Sequence, residues 1–585
     1  MKPTSSSARL RQLFFWLAAV ILLTMLVNTF HRCLWGPDET REAEIARETL
    51  LDGHWVTPRF NQIPFVEKPP LYYDLVAVAF RCARAFGVAE FEPGAARLVS
   101  ALFGVVMLLA VVIFAWRKMG VLAAFTACTV CIAMPQFYRA AHWILLDIAV
   151  GAFVTTALVL YGFMALEKPR SNTLHALFFL CAAAAFLTKG TVTLVYLGIV
   201  IVPYWIWKRR ALPCKLNWTL LCFLIPVGLW IWAFYREGGL YYLHEHFVNN
   251  IIGRFLHRDL HLSGSPITIS DVGPSSPWSF YLERSPSMVG VVHPLLPLIF
   301  AALYRALKLP FFAVRLPGRA GRIYDRLTAP RREISAEERD LLVYLIFWSF
   351  LPIFFFSLSA IKEVTYLLPS YAGVALLTGW YFRERFGEFL PEKEDVVYGL
   401  VLPTVLFAVA AQLGAWFPAR IIWMLFAAGV LVTAMLLAAA IRQKAAVRIL
   451  FLILSGAIGA VLLGSTPEIM RGTRRHRKCY HDLVPEVWRA VGERPLFLHA
   501  SHDESIRGSV PFYGNRAVTV LPKREELQRQ LAQPGAQAVM MNRDDFRELM
   551  EQKALGSLSH YTVFRLDFPE KADEFLLLLS KDEVR

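Results

Sequence analysis

Apolar residues run through this chain in long blocks separated by short charged turns. The blocks lie near 12–30, 94–116, 120–137, 143–165, 172–188, 190–207, 217–235, 289–307, 341–358, 364–382, 397–416, 420–441 and 447–465. Each is close to, or above, the roughly 18 residues that let an α-helix cross a bilayer. One further run, 70–88, is short and carries Asp74, Arg81 and Arg84. A charge at the bilayer centre costs roughly 2.5–3.5 kcal/mol on insertion scales, so this run is expected to be an interfacial or re-entrant helix that does not cross. The pattern predicts an all-α polytopic membrane domain over residues 1–470 with about thirteen transmembrane helices.

The charged turns then orient the spans. Arg117-Lys118, Lys168 with Arg170, Lys208-Arg209-Arg210, the basic loop 305–340, and Arg442 with Lys444 fall on one side. The positive-inside rule makes that side the cytoplasm. Arg9 and Arg11 precede the first apolar run and no small-residue cleavage site follows it, so it reads as a retained signal anchor with a cytoplasmic N-terminus. An odd number of spans puts the C-terminus outside. The first outer loop (31–93), the turn 138–147, the loop 236–288 and the tail from about 479 then share the outer face. The basic run Arg471 to Lys478 departs from the rule. It would either hold anionic lipid phosphates or anchor the tail.

The tail changes period. Strand-like runs at 495–499, 517–521, 538–541 and 574–579 alternate with helical patterns at 480–492, 523–532 and 543–553. Residues 479–585 are therefore expected to form a small extracytoplasmic α/β domain.

Composition narrows the class further. Of 585 residues, 56% are hydrophobic and 18% charged, against about a quarter charged in soluble chains. An aromatic content of 14% excludes a disordered chain. The net charge of +15 is accounted for by cytoplasmic loops, not by nucleic-acid binding. The cysteines show no disulfide framework. Cys128 and Cys131 form a CxxC inside a membrane run and read as packing residues.

Three features carry candidate chemistry. Asp38 follows Gly36-Pro37 and is placed to cap a helix beginning at Glu39, with charges on one face suited to a membrane surface. In Glu67-Lys68-Pro69-Pro70-Leu71-Tyr72 the prolines fix the backbone and so fix where Lys68 points. A lysine held there can meet a lipid phosphate, or simply snorkel to the interface. Asp147 stands at the outer end of a span, where an ionisable residue is a functional candidate or the partner of a cation such as Arg139.

These residues also carry a resemblance. Asp38-Glu39-Thr40-Arg41 with Ala43-Glu44-Ile45-Ala46, then Trp55-Val56-Thr57-Pro58-Arg59-Phe60-Asn61, then Phe65-Val66-Glu67-Lys68-Pro69-Pro70-Leu71, resembles the lipid A aminoarabinose transferase family. That family belongs to the GT-C glycosyltransferases and is related to protein O-mannosyltransferases. Thr188-Lys189-Gly190 and Ser357-Leu358-Ser359-Ala360-Ile361-Lys362 with Tyr366 to Pro369 resemble its later motifs. The resemblance implies transfer of a sugar, 4-amino-4-deoxy-L-arabinose or a relative, from a polyprenyl (undecaprenyl) phosphate donor to lipid A or another surface acceptor. It implies the periplasmic face of a bacterial inner membrane, with membrane lipids as surroundings and no nucleic acid. Asp38 and Asp147 would be the catalytic carboxylates. Glu39, Arg41, Lys68, Tyr72, Arg254, Lys362 and Tyr366 would bind substrate. Glu67 with His261 or His257 would be the candidate metal pair, suited to Zn²⁺. Tyr73-Asp74, the run Ser275 to Tyr281, and Ile361, Glu363 and Val364 depart from the family pattern, and bear on the sugar and acceptor more than on the reaction. A transporter or flippase of a lipid-linked sugar, and a protein O-glycosyltransferase, are the alternatives.

Overall fold

The computed structural model describes residues 5–30, 32–89, 91–167, 171–208, 217–256, 258, 275–309, 318–387, 392–414, 445–464, 480–481, 483–499, 504–521, 523–551, 560–565 and 575–581. The membrane part is helical. Helices α1 (Ser5–Leu26), α2 (Gly36–Asp52), α3 (Leu71–Ala85), α4 (Pro93–Met119), α5 (Val121–Ala133), α6 (Pro135–His142), α7 (Leu146–Glu167), α8 (Asn172–Lys189) and α9 (Val192–Lys208) are followed by others through Ala445–Gly464.

Among the described residues seven helices are long and apolar enough to cross a membrane. An eighth would be the pair α5 and α6, bent by 70° at Pro135, whose missing N–H cannot continue the ladder. Three shorter apolar helices include α9 and the Leu10–Leu26 part of α1. By this criterion the expected thirteen is not reached. The run 364–382 does fold as one helix, Leu368–Phe386, nearly all of it buried, whereas 420–441 lies outside the described residues. The charged run 70–88 folds as the 15-residue α3, which buries Tyr72, Tyr73, Val76, Ala77 and Phe80 on one face. Cys128 and Cys131 are buried in the core of α5. Cys33, in the loop after α1, is disulfide-bonded. The sequence reading held no disulfide; the partner lies outside the described residues.

The tail builds a five-stranded sheet. With the hairpin β1 (Arg59–Phe60) and β2 (Ile63–Pro64) earlier in the chain, its strands are β3 (Leu496–His499), β4 (Thr519–Val520), β5 (Ala538–Asn542), β6 (Tyr561–Arg565) and β7 (Phe575–Ser580). Their order is β4-β3-β5-β7-β6. Strand β3 runs parallel to β4 and β5, while β7 runs antiparallel to β5 and β6. Strand β5 is buried along almost its whole length, as a central strand covered on both faces should be.

The tail is docked on α2 through a helix that the sequence reading did not foresee, Glu504–Gly514. Phe512 of this helix enters the aromatic cluster of Phe80 and Phe91. Gly508 lies so close to α2 that a Cβ there would sit 2.4 Å from the backbone carbon of Thr40. The two helices can approach this closely only because position 508 has no side chain.

Candidate functional site at the outer ends of the helices

The site begins with a buried anchor. Glu39 is fully buried, and its carboxylate accepts from Arg97 Nε at 2.8 Å and Arg97 Nη2 at 3.0 Å. It also accepts from the backbone N–H groups of Trp35 at 2.9 Å and Ile144 at 3.1 Å. Arg32 stands 3.5 Å away. Arg97 spends its remaining donors on the carbonyls of Arg32 and Cys33, at 2.8 and 2.9 Å. Glu39, expected to bind substrate, spends its acceptor capacity inside the protein and ties the stretch after α1, α2, α4 and the α6–α7 turn together. Tyr72, also expected to bind substrate, is fully buried with its hydroxyl 2.7 Å from Ser100 Oγ.

On that base α2 presents a chain of charges. Arg41 bonds Asp38 at 3.0 Å and Glu42 at 3.1 Å, and it also pairs with Glu504 of the tail. Lys68 donates to Glu42 at 3.1 Å. Asp38 remains 40% exposed, so it is the carboxylate of this group that a substrate can reach. Burial alone would raise its pKa, but Arg41, Lys68 and Arg139 outweigh burial and hold it below the ordinary carboxylate value.

Beside this chain lies a cavity of about 350 Å³. Lys68, Lys189, Arg254, Glu67 and Tyr366 stand in its lining, and Val192, Val195, Phe355 and Phe356 are among its apolar walls. The chain positions each cation. Lys189 ends α8, pairs with Asp147 and lies 4.5 Å from the centre of the Tyr366 ring. Arg254 bonds Glu67 at 2.8 Å. A π-helical segment, 245–253, clamps the strip that carries Lys68, because His246 Nδ1 meets the Val66 carbonyl at 2.9 Å and Asn250 donates to the Glu67 carbonyl at 2.6 Å. Such irregular turns recur at functional positions.

Of the expected site residues, Lys68, Arg254 and Tyr366 line the cavity, Asp147 meets it through Lys189, and Asp38 with Arg41 stands in the charge chain beside it. Lys362 is buried and donates to the carbonyls of Ser276 and Ser359, so it holds the loop that carries Ser359 and is not itself in the cavity lining. Expected as a substrate ligand, it braces this loop in the structure. For the metal pair, Glu67 is engaged by Arg254, and His257 and His261 lie outside the described residues. Among the described residues no group of three metal-ligating side chains comes together.

Sequence reasoning missed several members. Glu42 and Glu504 balance Arg41 and Lys68 from two distant segments. Lys189 was visible as part of a Lys-Gly turn, but its pairing with Asp147 was not. Glu363 sits in the electrostatic field of Asp38 and Asp147, and burial together with those carboxylates raises its pKa.

The fold and the charges define a polytopic, mostly helical membrane protein with a charged site at one end of its helices and a docked tail domain. It superposes on the crystal structure of ArnT from Cupriavidus metallidurans bound to undecaprenyl phosphate, with a TM-score of 0.67 and 18% identity, over 96% of this chain and 97% of that one. By sequence it is 29% identical over 399 residues to the undecaprenyl phosphate-alpha-4-amino-4-deoxy-L-arabinose arabinosyl transferase 1 of Pseudomonas fluorescens strain Pf0-1, covering 65% of this chain and 60% of that protein. It is 30% identical over 365 residues to the corresponding transferase of Aeromonas salmonicida strain A449, covering 61% of this chain and 57% of that protein. The matched region spans about three fifths of the length of these relatives. No family model matches the chain. The likeness to these arabinosyl transferases by sequence covers 61–65% of the chain, and the likeness in fold covers 96% of it.

Proposed function

We propose that the protein is an integral-membrane glycosyltransferase. It moves a sugar, 4-amino-4-deoxy-L-arabinose or a relative, from an undecaprenyl phosphate donor to lipid A or another surface acceptor. One observation carries this reading. The cavity sets the cations Lys68, Lys189 and Arg254 against walls of valine, isoleucine and phenylalanine. A ligand that fits it has an anionic head and a hydrocarbon tail, which is the chemistry of a polyprenyl phosphate.

The residues then take roles. Lys68, Lys189 and Arg254 hold the donor phosphate and stabilise it as it leaves with the bonding electrons. An acceptor oxygen forms the new bond to the anomeric carbon as the bond to the phosphate oxygen breaks. Asp38 orients the acceptor and takes its proton when the acceptor is a hydroxyl. When the acceptor is a phosphate the nucleophile is already ionised, and Asp38 only positions it. Asp147 fixes Lys189 beside the donor.

In this reading the chain has thirteen spans, one for each long apolar run, with a cytoplasmic N-terminus and a periplasmic C-terminus in a bacterial inner membrane. The disulfide at Cys33 supports an oxidising compartment for the first outer loop. The test is mass spectrometry of surface glycolipids from a deletion strain complemented with wild type, Asp38→Ala or Lys68→Ala. Loss of a sugar-sized mass that only wild type restores supports the reading. Full restoration by both variants sinks it.

A further inference from the structure

The cations around Asp38 are not equivalent. Lys68, Lys189 and Arg254 line the apolar-walled cavity, and each is paired with a carboxylate. Arg139 is different. It lies on α6, outside the cavity lining, yet acts electrostatically on both Asp38 and Glu363. Among the described residues its guanidinium makes no ion pair and no hydrogen bond. Its Nε is buried without a partner, and its planar group lies 4.5 Å from the centre of the Trp143 ring.

The element beneath it is rigid. His142, one turn along α6, stacks on Tyr138 at 3.7 Å, and its ring nitrogens meet the carbonyls of Tyr138 and Thr24 at 2.8 and 2.7 Å. Arg32 clamps the His142 carbonyl at 2.6 Å. A guanidinium set against an aromatic ring, with no partner among the described residues and within the field of the Asp38 carboxylate, can take a planar or tetrahedral oxyanion. The donor phosphate already has the three cavity cations.

We propose that Arg139 binds the anionic group of the acceptor, a phosphate, and so sets it against Asp38 outside the lipid-phosphate cavity. This rests on the glycosyltransferase reading for what the acceptor is used for, but its test needs no transfer. Full-length protein in nanodiscs is titrated with bis-phosphorylated lipid A, with the same lipid dephosphorylated, and with undecaprenyl phosphate, as wild type, Arg139→Gln and Arg139→Lys. Wild type is expected to prefer the phosphorylated acceptor. Arg139→Gln is expected to weaken that binding about ten- to a hundredfold, the range of a charge-assisted contact. It should erase the preference and leave undecaprenyl phosphate binding unchanged, and Arg139→Lys should recover part of the loss. The assignment is overturned if Arg139→Gln binds the phosphorylated acceptor like wild type, or if it loses all three ligands alike. It is equally overturned if wild type shows no preference for phosphate. If the binding pattern holds but no sugar is transferred, the assignment stands and the glycosyltransferase reading fails.

Discussion

Replacing Arg97 by Met tests whether the Glu39 anchor sets the geometry of the site. The substitution keeps an apolar stem of similar length in α4 and removes the charge. It takes away two bonds to Glu39, at 2.8 and 3.0 Å, and two to the carbonyls of Arg32 and Cys33, at 2.8 and 2.9 Å. Both side chains of the pair are fully buried, so water cannot replace these partners. Breaking a buried ion pair from one side costs about 3–5 kcal/mol. Arg32 still stands 3.5 Å from Glu39 and two backbone N–H groups still donate to it, so the low end, about 3 kcal/mol, is expected. The double variant Arg97→Met with Glu39→Gln leaves neither charge uncompensated by the other and should cost well under the sum of the singles. Chemical denaturation in detergent, followed by tryptophan fluorescence, gives the stabilities. Transfer activity should fall along with them, since Asp38 is the neighbour of the anchored residue. A loss below about 1 kcal/mol for Arg97→Met with normal activity, or a strictly additive double variant, would refute the reasoning.

Other consequences can be checked alongside. Lys189→Met and Arg254→Gln should each weaken undecaprenyl phosphate binding about tenfold or more, since each removes a cation from the cavity; unchanged affinity in both would remove the cavity from the account. Gly508→Ala would drive a Cβ into the backbone of Thr40 at 2.4 Å, an overpacking cost of about 1–3 kcal/mol, and should make the tail more sensitive to limited proteolysis. Glu48, buried on α2, is pushed up to about 8 from 4.5 by burial and by the neighbouring Glu44. The folded protein therefore holds a proton that the unfolded chain releases near 4.5, so this group's contribution is complete below about 4.5 and is lost as pH rises to about 8. Wild-type melting temperature should fall across that window more steeply than that of Glu48→Gln, and parallel curves would contradict the assignment.

Much of the architecture was readable because membrane spans are written as long apolar runs. The one charged run, 70–88, was set apart by the cost of burying Asp74, Arg81 and Arg84, and it folds as the amphipathic, 15-residue α3. Most tail strands followed from alternation, but β6 and the docking helix Glu504–Gly514 did not. That helix contains Gly508 and Pro511, poor helix formers whose placement is settled only by contact with α2 and the aromatic cluster around Phe512. The disulfide at Cys33 was equally invisible, since spacing alone does not pair cysteines. At the site, motifs located Asp38, Lys68 and Asp147, yet could not separate ligand from scaffold. Adjacent residues Asp38 and Glu39 point to different places on one helix, one reachable and one fully enclosed. Lys68, Lys189 and Arg254 come from three separate segments, and only the packed bundle brings them around one cavity.

The most direct test of the account uses purified protein in proteoliposomes with an undecaprenyl-phosphate-linked aminoarabinose donor and lipid A. Mass spectrometry follows both lipids, and a membrane-impermeant probe follows the donor headgroup. The account predicts that wild type adds one sugar mass to lipid A and releases one undecaprenyl phosphate for each transfer, and that Asp38→Asn abolishes both. Passage of intact donor from one leaflet to the other, with no cleavage and no sensitivity to Asp38→Asn, would contradict it and establish a transporter in its place.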